Sequence, residues 1–396
     1  MRIGVDCLAV DPAYRGGVNT YIFGLLDGFS ELNTENKYII FCTSKNKKPF
    51  KKYLKFNNFD LIVIDNYRTL TKKLFLGIAY AFNSLWLWRK SLNFFVSIKK
   101  IDKLIESKCD ALYTATTTLN FYNLRVPTIL SMHDIQQYHY PDFFTRRELR
   151  SRRLTFENSA KYATFFQASS QFIKDDLLDN FPWLKQEKIV VIPEGVNIDE
   201  FSKSKETDII KRCNLPDDFL FFPAQLWKHK NHITVLRSLK KIENEKGLKI
   251  PLVMTGAKYS SSNEVLNYIK LNDMDYIFYL GKVDFKDLLT LYKKAKFLIT
   301  AVLYESSSLP ILEASASGTP IIASKTPPNI EMSSNIEMTL FEPLNIEDCA
   351  SVIEKCWEMK VIDQIDHNNK SIENYNWKNI GKKYMYLIMD RVSVKQ

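Results

Sequence analysis

Short β-branched, apolar runs alternate with amphipathic segments along all 396 residues of the chain. No other feature limits its fold so tightly. In the first half, strands are predicted at Ile3–Cys7, Tyr38–Phe41, Leu61–Ile64, Ala111–Tyr113, Thr128–Met132, Thr164–Ala168 and Ile189–Ile192. In the second half they fall at Phe219–Phe222, Leu252–Thr255, Ile277–Tyr279, Phe297–Thr300 and Ile321–Ala323. Several are unbroken apolar runs, the pattern of strands covered on both faces. Helical periodicity lies between them, as in Asp287–Ala295 and Ile311–Ser317. This alternation predicts parallel sheets covered by helices. The length suits two such doubly wound α/β domains.

The division is expected near Pro193–Ser202 (PEGVNIDEFS), where the chain leaves a strand for a polar, turn-rich stretch. Residues 1–195 and 196–376 then form the two domains. The segment Trp377–Val392 puts Trp377, Ile380, Tyr384, Leu387 and Ile388 on one helical face. Residues 377–396 are therefore expected to pack back on the first domain.

With 45% hydrophobic and 25% charged residues, the composition is globular and excludes a disordered chain. Six cysteines are scattered with no CxxC pair, which favours buried, reduced thiols. MRIGVDCLAV lacks the long apolar core of a signal peptide and reads as a first strand. The longest apolar stretch, Leu74–Trp88, has 15 residues and is interrupted by Asn83 and Ser84. A bilayer-spanning helix needs about 20, so a cytoplasmic location is expected.

The formal charge of +10 points to an anionic partner. Residues 45–100 carry a local excess of +11, leaving −1 for the remainder. Within that region Lys72, Lys73, Trp86, Trp88, Arg89 and Lys90 mix cations with aromatic rings, as suits a segment lying on an anionic membrane surface. The alternative is a buried helix pair with solvated lysines. No nucleic-acid-binding motif is present.

Four segments could carry chemistry. AYRGGVNTY follows the first strand, and Gly16 and Gly17 are adjacent in a chain with only 12 glycines. Such a loop, leading to a helix N-terminus near Asn19, can bind an anion or form a tight turn. Ser131-Met132-His133-Asp134 closes an apolar run, and open α/β sheets bind ligands at strand carboxyl ends. His133 there could hydrogen-bond a polar substrate or sit in an ordinary turn; His139 lies in the loop that follows. FFPAQLWKHKNH gathers Lys228, His229, Lys230 and His232 after a strand, suiting a phosphate site or a solvated basic turn. YESSSLPILEASASGTP is the most informative. Glu305 lies in a loop, Pro310 near a helix N-terminus, Glu313 about one turn inside, and Gly318 closes the helix. Amides at Ser307, Ser308 and Leu309 could hold a phosphate, with Glu305 and Glu313 bracketing a ligand polar at both ends.

Together these segments resemble the retaining glycosyltransferases of family 4. The Glu305–Glu313 spacing resembles that family's E-x7-E motif, IVVIPEGVNIDEF its inter-domain signature, and Phe221–Asn231 its phosphate-binding strand and loop. The resemblance implies the GT-B fold, two Rossmann-like domains facing a central cleft, acceptor bound by the first and nucleotide-sugar donor by the second. It implies that Glu305 contacts the donor sugar, Glu313 the ribose and Lys230 the diphosphate. His133 would lie near the reacting sugar, Gly16 and Gly17 would face the donor phosphate, and Gly256 would belong to the donor site.

Two positions depart from the family pattern. Gln225 replaces a common Arg, leaving Lys228 or His229 to supply the missing cation. Ser306-Ser307-Ser308 replaces Gly-Phe-Gly after the first Glu. Both bear on the donor. No Asp-x-Asp motif stands in a strand-end loop, so neither metal nor cofactor is expected. The implied activity is retaining, hexosyltransferase-type transfer from a UDP- or GDP-sugar to a saccharide, lipid-linked at the inner face of the plasma membrane, in surface polysaccharide or lipopolysaccharide assembly. A sugar-nucleotide epimerase and a non-catalytic sugar-nucleotide-binding subunit are the rival readings.

Overall fold

The computed structural model describes residues 1–11, 17–32, 34–65, 96–359 and 371–393. The chain divides into two compact units, Met1–Glu194 with Trp377–Gln396, and Gly195–Asn376. Gly16 and all six residues of the expected membrane segment, Lys72, Lys73, Trp86, Trp88, Arg89 and Lys90, lie outside the described residues.

Unit 1 is built on strands β1 (Arg2–Asp6), β2 (Lys37–Cys42), β3 (Phe59–Val63), β4 (Ala111–Thr114), β5 (Thr128–Ser131), β6 (Phe165–Ala168) and β7 (Ile189–Val191). They form one sheet in the order β3-β2-β1-β4-β5-β6-β7, every neighbouring pair parallel. Unit 2 contains β8 (Leu220–Pro223), β9 (Leu252–Thr255), β10 (Ile277–Gly281), β11 (Phe297–Thr300), β12 (Ile321–Ser324) and β13 (Thr339–Phe341). Its order, β10-β9-β8-β11-β12-β13, is again wholly parallel. In each sheet the winding reverses once, between β1 and β4 and between β8 and β11. Loops leaving the carboxyl ends of those strands are where a doubly wound sheet receives its ligands.

Twelve of these strands coincide with the apolar runs of the sequence. The edge strand Thr339–Phe341 does not stand out in the sequence, because its apolar pair Leu340–Phe341 lies between Thr339 and Glu342. The central strands β4, β5, β9, β11 and β12 are buried at every residue, which explains their unbroken hydrophobicity. None of the six cysteines is paired, and five are buried.

The helix Trp377–Ser393 completes unit 1. Its Trp377, Ile380, Tyr384, Leu387, Ile388 and Val392 enter the same core as Ile3, Val5, Tyr21, Leu25 and Phe29. It lies against the helix Gly17–Ser30 at a crossing lined by glycine: a Cβ on Gly24 would overlap the Trp377 indole, and one on Gly28 the Trp377 carbonyl. Gly381 faces Gly28 from the other side. Three of the scarce glycines thus serve helix packing rather than a ligand loop. Beneath the crossing the hydroxyls of Tyr21, Tyr113 and Ser131 form a buried network, at 2.8 Å for Tyr21–Tyr113 and 2.5 Å for Tyr113–Ser131, and Tyr384 joins it through Tyr21. Fully paired hydroxyls of this kind fix one docking geometry for the returning helix.

Candidate functional site

The first ligand loop predicted from sequence is described from Gly17 onward. The helix begins at Gly17, two residues before Asn19, as expected. The Asn19 side chain turns back to donate to the Asp11 carbonyl, so it does not cap the helix.

His133 follows β5 and is buried at 7% exposure. Its Nε2 lies 2.8 Å from the Ala115 carbonyl, at the end of β4, and its Nδ1 lies 3.7 Å from Glu194 Oε1. The Tyr21 ring meets the imidazole edge-on at 4.9 Å. Burial alone would lower the imidazole pKa, but the Glu194 carboxylate and the Ala115 carbonyl outweigh it and hold His133 above its ordinary value. Both ring nitrogens therefore face groups of unit 1 itself. His139, in the next loop, lies 2.6 Å from Asp176. In sequence Glu194 reads only as part of the domain boundary. The one signal that could have drawn notice is an acidic residue directly after a strand and its Pro.

In unit 2 the loops after β8 and β11 flank the reversal point and bring two predicted residues together. Lys230, at the end of the short turn Lys228–Lys230, donates to Glu305 in the loop after β11. Their side chains are 17% and 15% exposed. The Leu303 amide donates to the His229 carbonyl at 2.8 Å, joining the two loops by their backbones as well.

Ser306, Ser307 and Ser308 are buried, and the amides of Ser307, Ser308 and Leu309 have no acceptor among the described residues. They point from the N-terminal end of the helix Leu309–Ser317, which has Pro310 in its first turn and Gly318 in the left-handed conformation at its end (φ 75°). A helix start with open amides is a favourable position for negative charge.

Glu313, one turn into that helix, is partly buried. Tyr292 donates to its Oε2 at 2.5 Å. Burial raises the Glu313 carboxyl to about 7, opposed by the Tyr292 hydrogen bond and assisted by the charge of Glu200. Tyr292 belongs to the helix Phe285–Lys294 and reads in sequence as one more core aromatic.

The Gln225 Oε1 accepts from Trp227 Nε1 at 2.9 Å, and the Trp227 ring stacks on Tyr259 at 3.9 Å. Gly256 has φ 131°, and a Cβ there would lie 2.5 Å from the Ala224 carbonyl oxygen. Glycine is needed at this point because the loops after β8 and β9 approach so closely, with Leu226 donating to Ala257 at 3.0 Å. Lys228 is exposed.

One member of the expected basic cluster is corrected. His232 begins the helix His232–Lys246, is 1% exposed, and stacks on Phe222 at 4.1 Å. Burial pushes its pKa down to about 3, so it is neutral and supplies no cation. No group of His, Cys, Asp and Glu among the described residues could hold a metal ion.

Two family models match the chain: Glycosyltransferase Family 4 over residues 15–200, and Glycosyl transferases group 1 over residues 204–376. The O-antigen chain mannosyltransferase RfbU of Salmonella typhimurium is 28% identical over 254 residues, 64% of this chain and 65% of its own length. O-antigen chain mannosyltransferase B of Escherichia coli is 22% identical over 202 residues, 50% of this chain and 52% of its own length. The match thus spans less than two thirds of either relative. Anabaena HepE, solved in complex with UDP-glucose, superposes with a TM-score of 0.71 at 16% identity, each chain covered in full. At that identity the likeness concerns the fold. Two parallel-sheet α/β units, the Lys230–Glu305–Glu313 arrangement and two adjoining family models agree: the chain belongs to the group 1, family 4 glycosyltransferases of the GT-B fold.

Proposed function

We propose that this protein transfers a hexose from a nucleoside-diphosphate sugar to a saccharide acceptor with retention of anomeric configuration. The observation that carries the reading is the meeting of Lys230 and Glu305 at the reversal point of the second sheet, beside the open amides of Ser307–Leu309 and the carboxyl of Glu313. Those groups suit the three parts of such a donor: a cation and amides for the diphosphate, a carboxylate for sugar hydroxyls, and a second carboxylate for the ribose.

Transfer breaks the bond between the anomeric carbon and the β-phosphate oxygen, and negative charge grows on the leaving diphosphate. Lys230 and the amides stabilise that charge, the term that usually dominates catalysis. This arrangement provides for departure without a divalent metal, so activity is expected to survive chelation. We assign no side chain as a nucleophile; the acceptor hydroxyl attacks from the face the diphosphate leaves and gives its proton to the departing β-phosphate oxygen. Lys228, Gln225 and Gly256 line the loops on the donor side, and His133, held by Glu194, belongs to the acceptor unit.

The names of the relatives place them in O-antigen assembly. We assign this chain a role of the same kind, building surface polysaccharide on a lipid-linked acceptor at an anionic membrane. The charge excess of residues 45–100 supports that location. So does the helix Arg146–Tyr162, where Arg146, Arg147 and Arg150 are exposed with no acidic partner among the described residues. No helix among the described residues is long and apolar enough to cross a membrane.

A thermal-shift panel of UDP- and GDP-sugars tests the reading. A ligand at 100 times its dissociation constant stabilises the folded state by about 2.7 kcal/mol, so the correct donor raises the melting temperature by several degrees. A panel that leaves the melting curve unmoved contradicts it. Product analysis with donor alone separates transfer from epimerisation.

A further inference from the structure

We propose that Tyr292 is the positioning residue for Glu313: its hydroxyl ties down one carboxylate oxygen so that the other is presented, ionised and in a fixed orientation, to the ribose hydroxyls of the donor nucleotide. The inference rests on the donor-site reading above.

Tyr292 has little freedom. It is fully buried, and its ring lies edge-to-face against Phe201 at 5.6 Å and Phe221 at 5.1 Å. Its own carbonyl accepts from Thr319 Oγ1 at 2.6 Å, which fixes the end of its helix against the segment that follows Glu313. The hydroxyl is thus delivered to Glu313 Oε2 from a rigid base, at 2.5 Å. Glu313 Oε1 has no partner among the described residues. A carboxylate with one oxygen anchored and the other open is a fitting acceptor for a diol, and anchoring removes rotamer freedom that binding would otherwise have to freeze.

The charges around Glu313 leave Tyr292 as its single stabilising partner. From the helix Ile198–Lys203, Glu200 opposes ionisation, while Asp199 and Lys203 pair with each other at 2.8 Å. On the helix Phe285–Lys294, Asp287 is held by Arg212 and Thr207, Lys293 donates to the Ser204 carbonyl, and Lys294 pairs with Glu206. Lys286 shares that helix and has no acidic partner among the described residues. Strands β11 and β12, on the remaining side, carry no charged residue. Burial, then the Glu313 carboxylate and Glu305, disfavour ionisation of Tyr292 and keep its hydroxyl a donor. Burial and Glu200 push the Glu313 proton on, and the Tyr292 hydrogen bond pushes it off. Removing the hydroxyl therefore both loosens the carboxylate and raises the pH at which it ionises.

The test compares the wild type with Tyr292→Phe and Glu313→Gln as full chains. Binding of UDP and of GDP is followed by calorimetry from pH 6 to 8.5, and the carboxyl of Glu313 by carbon-13 NMR without nucleotide. Glu313→Gln serves as reference for titration of the nucleotide phosphates. The wild-type affinity is expected to climb with a midpoint near pH 7. In Tyr292→Phe the midpoint moves up, with affinity several-fold low at pH 7 and largely recovered at pH 8.5. Glu313→Gln binds weakly with no such step. A Glu313 midpoint unmoved by Tyr292→Phe overturns the positioning role and leaves the donor site standing; so does an affinity deficit equal at every pH, which marks lost packing alone. If the wild type binds neither nucleotide, the donor-site reading falls and takes this proposal with it.

Discussion

Lys230 gives its ammonium to Glu305. The cation suited to a diphosphate and the carboxylate suited to a sugar are each other's partners before any donor arrives. Both come from loops flanking the one reversal point of the second sheet, so the pairing follows from topology across 75 positions of sequence. On the proposed donor reading, the donor's phosphate oxygens displace that carboxylate at Lys230.

Glu305→Gln should therefore bind free UDP or GDP more tightly than the wild type, because Lys230 is released, while transfer is abolished. Lys230→Ala should lose both, with nucleotide binding weakened on the order of 10- to 100-fold, the usual weight of a charge-assisted hydrogen bond. Calorimetric titration gives the sign directly; weaker nucleotide binding by Glu305→Gln contradicts the exchange.

Stability should carry the mark of Glu313. Its folded-state pKa of about 7 lies above the ordinary carboxylate value. The stability contribution of its proton is fully present below the unfolded pKa and is lost as pH rises through 7. Glu313→Gln keeps a neutral group at all pH, so the variant should gain on the wild type between about pH 5 and pH 8, by at most on the order of 3 kcal/mol. Urea unfolding at the two pH values measures the difference, and a gap that does not grow with pH refutes it.

The crossing of the helices Gly17–Ser30 and Trp377–Ser393 should tolerate no side chain. Gly24→Val puts carbon where the Trp377 indole lies and forces the returning helix to shift. Overpacking of this kind destabilises by about 1–3 kcal/mol. Melting curves check it, and a variant as stable as the wild type would show the contact to be looser than described.

Flotation with anionic vesicles should capture the wild type in a salt-sensitive manner. Arg146/Arg147/Arg150→Glu should weaken capture by about a hundredfold, at roughly 1 kcal/mol for each basic residue near the surface. Capture insensitive both to this variant and to Lys72/Lys73/Arg89/Lys90→Glu counts against a membrane location.

The fold was largely legible, because strands covered on both faces must be apolar throughout and helices between them must be amphipathic. Runs such as Leu252–Thr255 and Phe297–Thr300 fall on their strands to the residue. What escaped was set by contact rather than by pattern. Thr339–Phe341 offers only two apolar residues, between Thr339 and Glu342, and so does not read as an apolar run. Tyr292 and Glu194 look like core and turn until the chain is folded, and only then meet Glu313 and His133. His232 sits among lysines in sequence but turns inward against Phe222. Gly318 closes its helix as read, whereas the packing role of Gly24, Gly28 and Gly381 shows only in the folded contacts.

The most direct test of the central claim is transfer of labelled sugar from a panel of UDP- and GDP-sugars to a lipid-linked saccharide, with product linkage read by NMR. The account predicts that one donor gives product with its anomeric configuration retained, in the presence of EDTA, and that Lys230→Ala and Glu305→Ala are folded but inactive. Undiminished transfer by either variant, or inverted product, would contradict it.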